Sequence, residues 1–99
     1  MSKAARTAAR GWVTRTTRIL ESLIVDETNI DFVQLEDVIS QFDSRMNSLD
    51  EVQNDYELTI ESEETIIAEI EDAGEFRDKA RKPRIIAGRL LKNHLKKDD

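Results

Sequence analysis

The sequence predicts an all-α fold, an antiparallel three-helix coiled-coil bundle with a short C-terminal fourth helix, and three observations carry that prediction. Charged residues make up 36% of the 99-residue chain, with one proline and three glycines, a profile of long helices and not of a β-sandwich. Apolar residues run from Phe32 to Ile60 at alternating steps of three and four, the heptad signature of a helix with one buried stripe. Charge is arranged in blocks: residues 1–24 hold five bases and one acid, residues 25–75 seventeen acids and one base, and residues 76–99 nine bases and three acids. A chain folded back at two turns would lay each basic outer segment against the acidic middle, so charge favours one register over the alternatives.

The first helix is expected at about 3–25. Ala5, Ala9, Trp12, Thr16, Ile19 and Leu23 follow steps of four and three, with Val13, Leu20 and Ile24 beside them. Gly11 and the threonines Thr14, Thr16 and Thr17 are poor helix formers, so this segment depends on packing for its helicity. Trp12, a large ring at an a/d position, is expected to anchor the seam. The stretch Val25 to Ile30 breaks the period and forms the first turn.

The second helix, 31–60, is the spine. Phe32, Leu35, Ile39, Phe42, Met46, Leu49, Gln53, Tyr56 and Ile60 occupy its heptad positions, and only Gln53 among them is polar. Asp31 with Gln34 three residues on has the spacing of an N-cap and capping box. Val38 and Val52 widen the stripe, as a helix with two neighbours requires. Whether the stripe faces inward or toward a second chain is open, since one periodic face serves either use.

A break near Thr59 to Ser62 precedes the third helix, 62–82, capped by Ser62 and opened by Glu63 and Glu64, acids favourable at the positive end of a helix. Ile66, Ile70, Ala73, Arg77 and Ala80 continue the alternation. Pro83 lacks an amide hydrogen and disfavours helix at Lys82, so the helix is expected to stop or kink there. Beyond it Ile85, Ile86, Leu90, Leu91 and Leu95 form a short amphipathic segment. The chain thus divides into a bundle domain, 1–82, and a basic amphipathic segment, 83–99.

Several function classes have little to act through. Cysteine is absent and His94 is the lone histidine, so neither thiolate chemistry nor a transition-metal site is expected; His94 reads as a polar-face residue. The acidic run from Glu61 to Glu75 lacks the spacing of a calcium loop. No phosphate loop, nucleophile elbow or triad occurs, and neither a catalytic residue nor a cofactor nor a small-molecule substrate is expected. With no apolar run near bilayer length and no signal-peptide pattern, a cytoplasmic location is the expectation. The acid-poor opening, Met1 to Arg18, shares its composition with transit peptides, but the helical pattern already accounts for those residues.

The run Arg10-Gly11-Trp12-Val13-Thr14-Arg15 through Ile19-Leu20-Glu21-Ser22-Leu23, then Leu35-Glu36-Asp37-Val38-Ile39, Phe42-Asp43, Asp50-Glu51-Val52-Gln53 and Glu75-Phe76-Arg77-Asp78-Lys79, resembles the Gag-like N-terminal helical domain of Pao/BEL-type retrotransposon polyproteins. The likeness spans roughly residues 10–82. It implies self-association or scaffolding of an assembling particle, and no activity.

The expected function is therefore protein assembly, by a homo-oligomer or with another helical partner, through Trp12, Ile19, Leu23, Leu35, Ile39, Phe42, Met46, Leu49 and Tyr56. The alternative is an adaptor that meets nucleic acid or an anionic membrane through Arg84, Arg89, Lys92, Lys96 and Lys97, since clustered cations bind phosphates by releasing counterions. The net charge of -6 opposes it.

Overall fold

The computed structural model describes residues 3–97, which form three helices: α1 (Lys3–Ile24), α2 (Phe32–Glu57) and α3 (Glu63–Lys97). The molecule measures 54 × 22 × 18 Å with a radius of gyration of 16.0 Å, against about 13 Å for a compact chain of this length. It is a rod. The 35 residues of α3, at about 1.5 Å each, reach its full length.

Asp31 caps α2 as its position suggests. Its backbone is extended and its carboxylate accepts from the Gln34 amide at 3.1 Å. The heptad positions of α2 face inward: Leu35, Ile39, Phe42, Met46, Leu49 and Gln53 are all buried, with Val38 beside them, while Phe32 and Tyr56 at the two ends are half-buried. The helix ends three residues earlier than the periodicity suggests. Amides of Thr59 and Ile60 turn back to the carbonyls of Tyr56 and Glu57, the tightened three-residue spacing common in a last turn, which leaves Leu58 and Ile60 outside the helix.

In α1 the register differs from the expected one by a single step. Val13 and Leu20 are sealed, Ile19 and Leu23 pack at the margin, and Trp12 lies 46% exposed. The expected seam centred on Trp12 is thus corrected to one centred on Val13. Thr17 joins the new seam because its hydroxyl donates to the Val13 carbonyl at 2.8 Å, and Thr16, already at an expected seam position, donates to the Trp12 carbonyl at 2.9 Å. A threonine satisfied by its own helix behaves in a core as a small apolar residue.

The largest departure is at Pro83. Among the described residues no fourth helix follows it; α3 continues to Lys97, and the expected boundary after Lys82 falls inside a helix. A mid-helix proline deprives the carbonyl four residues earlier, that of Lys79, of its amide partner and costs about 3 kcal/mol against alanine in a regular helix. Contacts on both sides offset the loss. Ala80 and Ala87 are buried in the common core, Arg84 grips Asp43 of α2, and the ring of His94 stacks on Phe32 with centroids 3.8 Å apart. Pro83→Ala is accordingly expected to raise the unfolding free energy by about 1–2 kcal/mol, read as a higher urea midpoint with an unchanged slope.

α3 packs through Ala73, Ala80 and Ala87, spaced by sevens and each no more than 6% exposed. Side-chain size at the contact sets how near helix axes approach, so this column of methyl groups draws α3 close to its neighbours. Cross-helix pairs step regularly along it: Asp50 with Arg77, Asp43 with Arg84 and Phe32 with His94, the number falling along α2 as it rises along α3.

Candidate interaction surfaces

Two groups of side chains fall outside the apolar core. The first is a polar junction of all three helices near the start of α3. Glu69 receives Arg6 at 3.0 Å and Arg10 at 3.3 Å from α1, and Gln53 of α2 at 2.9 Å. Gln53 also donates to Glu57 at 2.9 Å, and Arg10 reaches Asp72 at 2.7 Å. The guanidinium of Arg6 lies over Tyr56 and that of Arg10 over Phe76, each 5.2 Å from the ring centre, a placement that favours cations. Gln53 is fully buried, and the side chains of Arg6 and Glu69 are each 11% exposed.

The hydrogen bond and positive charge of Arg10 hold the Asp72 carboxyl below its ordinary value of 3.8. A carboxylate so lowered adds stability above the ordinary range, and that contribution is lost as pH falls through the lowered value. Asp43 raises Arg84, which stays charged throughout. Three buried atoms of the junction, Nε of Arg6 and of Arg10 and Oε1 of Gln53, have no protein partner. The junction is a costly way to hold three helices together.

The second group is on the outside. Trp12 lies beneath the guanidinium of Arg45, 4.3 Å from its ring centre, with Arg15 at 5.8 Å. α3 has the reverse of the usual arrangement. Ala73, Ala80 and Ala87 are its buried apolar residues, while Ile67, Ile70, Ile85, Ile86 and Leu95 are 44–57% exposed. Phe76 and Leu91 pack at the margin of the core, and these five large side chains face out.

The expected interaction residues separate accordingly. Leu35, Ile39, Phe42, Met46 and Leu49, with the flanking Ile19, Leu23 and Tyr56, are used within one chain, and Trp12 alone of that set is exposed. Of the expected phosphate-contacting residues, Arg84 is paired with Asp43, and Arg89, Lys92 and Lys96 are exposed on α3; the side chain of Lys97 lies outside the described set. Arg6, Arg10, Glu69 and Arg45 escaped the sequence reading. Gln53, a lone amide in an apolar heptad, signalled that a buried polar contact existed, but its partner in α3 is sixteen residues away and the arginines of α1 lie further still.

Two open grooves flank α3, about 290 Å³ beside α1 and about 340 Å³ beside α2, the latter lined by Asp43, Asp50, Arg81, Arg84 and Ile85 among others. Among the described residues no group of three histidines or carboxylates is placed to hold a metal ion. Among the described residues no helix is long and apolar enough to cross a membrane. No family model, curated protein or solved structure matches the chain.

Proposed function

We propose that this chain is a non-enzymatic assembly module, built as an antiparallel left-handed bundle and joined to other protein through the outer face of α3. The observation that carries this reading is the outward placement of Ile67, Ile70, Ile85, Ile86 and Leu95 on a helix whose fully buried apolar residues are alanines, with Phe76 and Leu91 at the margin of the core. Single exposed apolar residues need no explanation, but several on one element mark a contact surface. The heptad stripe of α2 supports the fold, so the outward contact belongs to a different helix. A role in self-association also agrees with the Gag-like resemblance.

Sedimentation equilibrium of the native chain is expected to show a mass that rises with concentration. Ile67→Ser, Ile70→Ser and Ile85→Ser together are expected to leave a helical monomer. Native chain that stays monomeric at high micromolar concentration would remove self-association and leave the fold intact.

One observation favours a second reading. Residues 79–97 contain no acid, and Arg89, Lys92 and Lys96 are exposed there, so a polyanion could be met at this end. That reading predicts salt-sensitive retention of RNA or anionic vesicles, lost in Arg89→Ser/Lys92→Ser/Lys96→Ser.

A further inference from the structure

The exposed charges of α3 are sorted by sign. From Glu63 to Asp78 the exposed charged residues are Glu63, Glu64, Glu71, Asp72, Glu75 and Asp78, all acids. From Lys79 to Lys96 they are Lys79, Arg81, Lys82, Arg89, Lys92 and Lys96, all bases. The sign changes once, between Asp78 and Lys79, close to the middle of the helix. Internal pairing accounts for little of this: of these twelve, only Asp72 takes part in one of the ion pairs found among the described residues.

The exposed apolar residues share that helix. At about 100° per residue, Ile67, Ile70, Ile85 and Leu95 fall within an arc of about 80°, two on the acidic half and two on the basic half. A surface that is apolar along one stripe and charged in opposite senses at its two ends has a specific complement. It is the same surface turned end for end.

We infer that the occupant of this face is a second copy of the chain, its α3 lying antiparallel to the first across a two-fold axis near Asp78–Lys79. This deepens the assembly reading above and rests on it. A two-fold contact is isologous, so each residue on one copy meets its mirror position on the other. Of the exposed charges, Glu63, Glu71 and Asp78 on one half and Arg81, Arg89, Lys92 and Lys96 on the other lie within about 80° of the centre of the stripe, so acids of each copy lie along bases of the other. Parallel pairing would set acid on acid and base on base. Individual surface pairs are weak and screened by salt, so the charges choose the orientation while the isoleucines supply the adhesion. The net charge of -6 is no obstacle, because the two facing halves carry opposite signs.

The chain contains no cysteine, so single-cysteine variants report position without interference. Each of Ile67→Cys, Asp78→Cys and Lys92→Cys, at an exposed position, is treated with a short bis-maleimide, and circular dichroism checks that each stays helical. The expected result is efficient cross-linking of Asp78→Cys to itself. Ile67→Cys and Lys92→Cys should each cross-link poorly alone and well when mixed, by at least fivefold. Charge reversal gives a second readout. Glu71→Lys/Glu75→Lys/Asp78→Lys and Arg81→Glu/Lys82→Glu/Arg89→Glu should each weaken self-association at least tenfold, and mixing the two should restore a dimer.

Self-cross-linking at all three positions would mean parallel pairing and would overturn the proposal. A dimer by sedimentation with no cross-link at any of the three would also overturn it, while sparing the assembly reading. A monomer at every concentration would remove both.

Discussion

Phe42→Ala is expected to lower the unfolding free energy by about 4 kcal/mol, because a ring deleted from a closed core loses its transfer energy and leaves a cavity that neighbours fill only in part. Phe42 is 2% exposed at the middle of α2, among Leu35, Ile39, Met46 and Leu49. Domains of this size hold about 5–15 kcal/mol in total, so one substitution removes a large share. Urea denaturation followed by circular dichroism measures it. A loss under about 1 kcal/mol would mean that the rod repacks freely around the gap and that its core is not close-packed. Ile67→Ala, on the outer face of α3, provides the contrast, with a change within about 0.5 kcal/mol in the monomer.

Glu69→Ala should cost about 3 kcal/mol, nearly as much, for a different reason. Glu69 is the acceptor common to Arg6, Arg10 and Gln53, and removing one partner of a buried ion pair strands the others. Arg10 keeps Asp72, whereas Arg6 loses its carboxylate altogether. The informative comparison replaces the whole junction. Arg6→Met, Arg10→Leu, Gln53→Leu and Glu69→Met together are expected to be neutral or stabilising, since apolar side chains of similar volume avoid the desolvation that buried charges incur. If the fourfold variant is as unstable as Glu69→Ala, the junction contributes net stability and not merely register.

How much of this was legible in the sequence depends on the range of each interaction. The spine of α2 and its Asp31 cap could be read because period and capping are local. The shift in α1 from Trp12 to Val13 could not, since Thr17, off the expected stripe, satisfies its hydroxyl within its own helix and takes an interior place beside Val13 and Leu20. The continuation of α3 beyond Pro83 is hidden from the sequence for the same kind of reason. The proline's local preference is to end a helix, and tertiary contacts from Asp43 and Phe32, some 40 and 50 residues distant, override it. The charge blocks foretold that outer bases meet inner acids. They did not foretell how the acids divide between partners, with α1 paired to the opening of α3 and the remainder of α3 paired to α2.

The division of charge along α3 also bears on how the rod forms. A helix carries partial positive charge at its start and partial negative charge at its end, and acids first with bases last oppose both. Glu63 and Glu64 in the first turn and Lys96 in the last therefore favour the two ends of α3, while its passage through Pro83 rests on contacts with α2. α1 has the reverse order, with Lys3, Arg6 and Arg10 near its positive end and Glu21 near its negative end. Glu69 and Asp72 of α3 receive Arg6 and Arg10 and so offset the unfavourable charges at the start of α1.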